Sequence, residues 1–373
     1  MPRQRQHRNP GTGRIGATVL ATALLAGGCG TGPDLPSGPI DLSAQWVTAP
    51  PEALGIDPDA LERAVDAAAA LPSLLSLVVV RHGRLAREAY FNGNRADRRN
   101  DVRSVTKSLV STLVGVAIER GLLESVDLPI GPVLEDAYPG ALDATEGAIT
   151  VRDLLTMASG YAWDESTVAG YNDWVTADDP VRYLLDRPLA HPPGTRFTYN
   201  SAAVHLLSVV LERIAGRTVQ QLAAESLFPA LGIAGADWEI LAGGRANGGS
   251  GIDLRPRDLA KLGQLWLQDG HAGAARLLPE GWVGTATTSR YPLWQASPPL
   301  TAQGYGYLWW IDHAGSRTHF FAWGHGGQFV WVAPELDLVV VVTTEWRSAP
   351  VSAGQLATNG LTLIVERVLP AVR

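Results

Sequence analysis

Short unbroken runs of apolar and β-branched residues mark the two ends of this chain's body, and helical spacing fills the stretch between them. Leu74 to Val80 and Leu85 to Phe91, divided by Arg81-His82-Gly83-Arg84, predict a β-hairpin. Tyr305 to Ile311, Thr318 to Trp323, Phe329 to Ala333 and Leu338 to Thr343, joined by short turns, predict an antiparallel meander. Asp57-Pro58 opens a helix running to about Ala70, with proline in its first turn. Further helices are expected over Ser104 to Arg120, from Val151 through Met157, and over Ala202 to Ile214, Leu254 to Leu267 and Gly354 to Val368. The helix from Ser104 is apolar on most sides, through Leu109, Val110, Leu113, Val114, Val116, Ala117 and Ile118, so it is a buried helix; Gly121 stops it. The hairpin and the meander most simply share one sheet. The expected class is therefore α+β: an antiparallel sheet (about 53–100 and 300–373) flanked by helices, with a mainly helical subdomain inserted at about 101–299.

Composition agrees with a folded body and narrows its setting. The chain has 373 residues, 46% hydrophobic and 18% charged, enough for a large core. A net charge of −7, with no basic stripe carrying interleaved aromatics, argues against a nucleic-acid partner. Residues 1–28 differ in kind: Arg3, Arg5, Arg8 and Arg14 precede an apolar run from Ile15 to Ala26, then Gly27-Gly28-Cys29. A charged start, a short apolar stretch and small residues at the cut describe an export signal, and the run is too short to span a bilayer comfortably. Cys29 is the only cysteine, which excludes an intrachain disulfide. Leu25-Ala26-Gly27-Gly28-Cys29 resembles a bacterial lipobox, although Leu25 lies one position early. That implies lipidation of Cys29 and a membrane anchor on the outer face of the cell; an ordinary secretion signal is the alternative. Gly- and Pro-rich residues 29–52 read as a tether ahead of a catalytic domain over 53–373.

The basic residues carry the first chemical clue. Of 30, only Lys107 and Lys261 are lysines. A chain that uses arginine almost everywhere keeps lysine where a proton must be given up, because a guanidinium stays charged. Lys261 falls on a helix face and reads as solvated. Lys107 follows Ser104 by three residues, the Ser-x-x-Lys spacing that can activate a serine nucleophile. The plain alternative is a surface lysine beside a capping serine. Against it stands the buried helix. Its first turn would hold both residues on one face, where the helix dipole favours developing negative charge and desolvation lowers the lysine pKa. No G-x-S-x-G elbow and no H-E-x-x-H metal motif occurs, and G-x-G-x-x-G appears only inside the export signal, with no strand before it.

Two more clusters follow in order. Pro193-Gly194-Thr195-Arg196-Phe197-Thr198-Tyr199-Asn200-Ser201 ends just before a helix, and Trp323-Gly324-His325-Gly326-Gly327-Gln328 stands at the start of a strand. With Ser104-x-x-Lys107 they resemble the three motifs of the serine β-lactamase and penicillin-binding-protein superfamily, above all its class C-related esterase and oligoamide-hydrolase branch. Leu154-Leu155-Thr156-Met157-Ala158-Ser159-Gly160, Gly249-Ser250-Gly251-Ile252 and Arg257-Asp258-Leu259-Ala260 are similar to stretches of that branch too. The resemblance covers residues 45–370 and implies a β-lactamase/transpeptidase-like fold and a catalytic Ser104, Lys107 and Tyr199. Ser104 would attack a carbonyl, and Tyr199 or Lys107 would take its proton, the two titrating as a pair. The N–H groups of Ser104 and Gln328 would hold the oxyanion, with His325, Gly326, Gly327 and Ser201 lining the substrate site. No cofactor or metal is called for.

Two departures bear on substrate. Ser201 stands where Tyr-x-Asn is usual, and His325-Gly326-Gly327 replaces Lys-Thr-Gly, exchanging a permanent ammonium for an imidazole mostly neutral at pH 7. Losing that charge favours uncharged esters, amides or small peptides over β-lactams and D-alanyl peptides. A β-lactamase or D,D-carboxypeptidase is the second reading, and a non-catalytic, lipid-tethered cell-wall binding protein the third. The tryptophans 309, 310, 323 and 331 are expected in the sheet core, one of them lining the cleft.

Overall fold

Val78, Val80, Val339 and Val341 belong to one hydrophobic cluster and Leu77, Val79, Val340 and Val342 to another. Alternate residues of a strand point to opposite faces, so this sheet is covered on both sides, which is why its strands read as continuous apolar runs. The structure is a computed structural model that describes residues 35–291, 296–313 and 318–373. The expected export signal and Cys29 lie outside the described residues. Leu35–Arg373 form one compact unit.

Helix α1 (Pro58–Ala69) begins at Asp57, whose side chain accepts from the Ala60 N–H, and leads into the hairpin β1 (Leu74–Arg81) and β2 (Arg84–Tyr90). The other strands come from the C-terminal third: β3 (Gln303–Tyr305), β4 (Trp310–Asp312), β5 (His319–Gly324), β6 (Gln328–Ala333) and β7 (Leu338–Thr344). The order is β2-β1-β7-β6-β5-β4-β3, antiparallel throughout. Hairpin and meander thus join through β1 and β7, with Val78 opposite Val341. Between them run α2 (Val105–Glu119), α3 (Val151–Leu155), α4 (Val168–Val175), α5 (Ser201–Ala215) and α6 (Pro256–Leu267). Helix α7 (Ala353–Thr362) continues into a wider π-turn over Leu363–Val368 and packs with α1 on the opposite face. No helix among the described residues is long and apolar enough to cross a membrane.

Three expectations need correction. The strand expected over Tyr305 to Ile311 is two strands, β3 and β4. Gly306 passes against the Ala286 carbonyl, which a Cβ would meet at 2.0 Å, and Leu308 turns over with φ +60° so that its N–H reaches the Leu155 carbonyl. The tether over 29–52 is not free along its length: Leu42 is fully buried, and Val47 and Ala49 exchange backbone hydrogen bonds with Leu85 of β2. That strap covers Lys261, which is 6% exposed rather than solvated and donates to the Ala44 carbonyl at 2.9 Å.

Candidate active site

Helix α2 is buried at every position from Val105 to Ala117. The chain enters it through Arg103, held at φ +48°, a conformation that costs a non-glycine residue about 1–3 kcal/mol. The Arg103 N–H donates to Asp101 Oδ1 at 2.9 Å, which steadies the turn. Ser104 then occupies the N-cap without making a side-chain cap bond, so its hydroxyl is free for another task. The capping-serine alternative fails on that observation.

The hydroxyl meets Lys107. Nζ lies 2.8 Å from Ser104 Oγ, 2.8 Å from Ser201 Oγ and 2.6 Å from the Gly249 carbonyl, with the residue 2% exposed. Burial, reinforced by the nearby Arg103 charge and opposed by Glu165, brings the Lys107 pKa down from 10.5 to about 7. An ammonium would donate three times here. A neutral amine would donate to Ser201 and Gly249 and turn its lone pair to Ser104.

Each partner is positioned by local structure. Asn200 caps α5 by accepting from the Ala203 N–H, which puts Tyr199 just before the helix and Ser201 at its first position. The Met157 carbonyl accepts from Thr198 N–H, bracing the Tyr199 loop from the segment after α3. Gly249 is drawn in by a small sheet in which Asn100–Asp101 pairs with Ile252–Leu254. A Cβ at Gly249 would stand 2.5 Å from the Ser201 carbonyl, so only glycine fits.

Tyr199 shares the site but not as an anion. Burial raises its pKa above the usual 10, partly offset by the Ser104 hydroxyl it lies against. Lys107 Nζ sits over its ring, 4.8 Å from the centroid. Burial thus disfavours the phenolate, whereas it brings the neutral amine of Lys107 within reach of neutral pH.

Glu165, which sequence reasoning missed, completes the group. It accepts from Ser201 Oγ at 2.7 Å, from the Ser201 N–H at 2.8 Å and from Trp163 Nε1 at 2.6 Å. Ser201 thus bridges the buried lysine to its countercharge. Nothing in the sequence around Glu165 marks it, because its role depends on contact with a helix 36 positions away.

The third motif forms the tip of the β5–β6 hairpin. Gly326 (φ +77°) and Gly327 (φ +89°) make the turn, and His325 and Gly326 line the cleft. Gln328 does not. It pairs with Gly324 inside the sheet, and its Nε2 donates to Thr344 Oγ1 at 2.6 Å, while that hydroxyl donates to the Gly326 carbonyl. Gln328 braces the turn from behind, and Gly327 is packed under α7 against the Leu356 carbonyl. Among the described residues, no backbone carbonyl accepts from the N–H of Ser104 or of His325. Burial and the Arg103 charge push the His325 pKa down, keeping the ring neutral.

The cleft holds about 480 Å³. Tyr199, Trp310 and Trp323 form an aromatic wall, with Tyr199 stacked on Trp310 at 5.9 Å, and Ala353, Gly354 and Ala357 of α7 line it with small residues. Of the four tryptophans expected in the sheet core, Trp310 and Trp323 therefore face the cleft, joined by Trp346, while Trp309 and Trp331 are fully buried. Among the described residues no His/Cys/Asp/Glu group could hold a metal ion.

A profile of the Beta-lactamase family matches residues 59–361, spanning all three motifs. The chain belongs to the beta-lactamase family. The 6-aminohexanoate-dimer hydrolase of Paenarthrobacter ureafaciens is 27% identical over 318 residues, covering 80% of this chain and 79% of that one. Esterase EstB of Burkholderia gladioli is 29% identical over 227 residues, covering 54% and 56%. The octameric penicillin-binding protein homologue from Pyrococcus abyssi shares the fold, with a TM-score of 0.63 at 18% identity over 83% of this chain and 77% of that one. This beta-lactamase family member is a serine hydrolase with a β-lactamase/transpeptidase-like fold.

Proposed function

We propose that this enzyme hydrolyses ester or amide bonds of small molecules through an acyl-enzyme on Ser104, outside the cell that makes it. The carrying observation is the buried Lys107 amine 2.8 Å from an uncapped Ser104 hydroxyl. Ser104 Oγ attacks the carbonyl carbon as its proton passes to Lys107 Nζ, whose remaining hydrogens are held by Ser201 Oγ and the Gly249 carbonyl. The oxyanion accepts from the N–H groups of Ser104 and His325, each such donor being worth about 3–4 kcal/mol. As the intermediate collapses, the Tyr199 phenol protonates the leaving oxygen or nitrogen and is reprotonated from Lys107. Water then attacks the acyl-enzyme, giving up its proton to the regenerated amine and releasing Ser104.

The named relatives, an amide-dimer hydrolase and an esterase, support this substrate range. Incubation with a fluorophosphonate tests it: a mass adduct on Ser104 and turnover of p-nitrophenyl butyrate are expected, and neither would appear if the reading is wrong. Nitrocefin hydrolysis separates a β-lactamase from this enzyme. Export through residues 1–28 and lipidation of Cys29 belong to the same proposal, supported by the four arginines, the apolar run and the lipobox-like residues. Labelling cells with an alkyne fatty acid should mark the wild type and not Cys29→Ala.

A further inference from the structure

The third motif lacks a lysine, yet the cleft does not lack a cation. Among the described residues that line it, Arg103 is the one permanent positive charge. Its guanidinium lies between two rings, 4.6 Å from the Trp346 centroid and 5.2 Å from the Tyr171 centroid. The side chain is 15% exposed, yet no hydrogen bond among the described residues uses its N–H groups, and Nε is buried without an acceptor. The nearest carboxylate oxygen, Asp101 Oδ2, is 3.8 Å from Nη1 and is taken at 2.6 Å by Arg347. Asp101 therefore serves two guanidinium groups. Glu165 is occupied by Ser201 and Trp163 and stands opposite Lys107. A second orphan lies in the ring beneath the guanidinium, where Trp346 Nε1 is also buried without an acceptor.

A buried, planar fork of donors with unspent charge suits one ligand chemistry, a carboxylate, which a guanidinium can bind through two parallel bonds. We propose that Arg103, with Trp346 and Tyr171 fixing its plane, is a carboxylate-binding residue, so that the preferred substrate is an ester or amide bearing an anionic group near the scissile carbonyl. This rests on the hydrolase reading above and reverses the preference for uncharged substrates that the missing lysine suggested. The guanidinium lines the same cleft as Ser104, so an anion held there belongs to the molecule presented to that hydroxyl, on either its acyl or its leaving side.

Two measurements test it, and the first needs no turnover. Ser104→Ala is titrated calorimetrically with hexanoate and with hexanamide, then the comparison is repeated in the Ser104→Ala/Arg103→Gln double variant. Hexanoate should bind at least about 10-fold more tightly than hexanamide, and the double variant should lose the difference. Equal binding of the two, or a preference that survives loss of Arg103, overturns the proposal even if catalysis is never seen. The second uses the active enzyme with p-nitrophenyl butyrate, mono-p-nitrophenyl glutarate (carboxylate on the acyl side) and 3-carboxyphenyl butyrate (carboxylate on the leaving side). The ratio of anionic to neutral kcat/KM should fall about 10-fold in Arg103→Gln for the one side that Arg103 faces, and should partly recover in Arg103→Lys. The ratio cancels any effect of Arg103 on Lys107. Circular dichroism on both variants separates misfolding from lost recognition. Unchanged ratios on both sides count against the proposal, whereas absent turnover of all three esters counts against the hydrolase reading alone.

Discussion

The two lysines of this enzyme sit in surroundings that look alike until their partners are compared. Both are nearly excluded from solvent, Lys107 at 2% and Lys261 at 6% exposure, and burial lowers the pKa of both. Lys261 donates to one carbonyl, that of Ala44, and Asp258 and Asp41 help it stay charged. Lys107 has two hydroxyls and a carbonyl, and its acid, Glu165, reaches it only across Ser201. One amine clips a strap to a helix; the other stands between two hydroxyls, that of Ser104 and that of Ser201, the second of which leads on to Glu165. Burial alone does not make a base. A dischargeable partner does.

The harshest way to break the contrast is Lys107→Arg. A guanidinium cannot accept the serine proton, so acylation should fall by at least about 10,000-fold. The missing burst of p-nitrophenol reads it, and wild-type acylation by this variant would remove the lysine from the mechanism. Lys107→Met should be equally inactive yet more stable. Between about pH 7 and 10.5 the folded chain binds fewer protons than the unfolded one, so stability rises with pH across that window. Below it the wild type carries the full cost of a buried ammonium, and there Met should raise Tm most.

Gly249→Ala comes next. The new methyl must displace the Ser201 carbonyl, moving two of Lys107's three partners, and about a 100-fold loss in kcat/KM is expected with the fold retained. An Ala variant with full activity would show that the carbonyl contact is idle.

Glu165→Gln sharpens the comparison through pH. In the wild type kcat/KM should climb through about pH 7, as Lys107 loses its proton, and then level off. Glu165 favours the charged amine, so removing its charge should shift that limb to lower pH, with a change within about 10-fold at neutrality. A limb that stays in place would make Glu165 a packing group only. Smallest is Lys261→Met: kcat/KM within about 2-fold of wild type and a stability loss of about 1–2 kcal/mol, from a carbonyl left without its donor, measured by urea unfolding. A large drop in turnover there would erase the distinction between the two amines.

What could be read from the sequence follows the range of the interactions involved. Helix α2 and strands β1, β5, β6 and β7 were legible because each carries its own periodicity and stop signals. Ser104 and Lys107 were legible because one helical turn fixes their separation, and Tyr199 and Ser201 because the Asn200 cap between them fixes theirs. Glu165, the burial of Lys261 and the bond made by the Gln328 side chain were not, since each depends on a partner 16 to 217 positions away. The placement of the Gln328 side chain escaped for a related reason: spacing along the motif does not say where a hairpin turns. Gly326 and Gly327 complete that turn before Gln328, leaving His325 at the tip.

The strap over residues 40–52 has one more effect, at the far end of the sheet. Among the described residues, the backbone neighbours of strand β2 on its outer side are Val47 and Ala49, which pair with Leu85 across it. Bare strand edges recruit other chains. An enzyme shortened to start at Pro58 would keep Ser104, Lys107 and Tyr199 and lose its guard against stacking on its own copies, so the strap doubles as a solubility device.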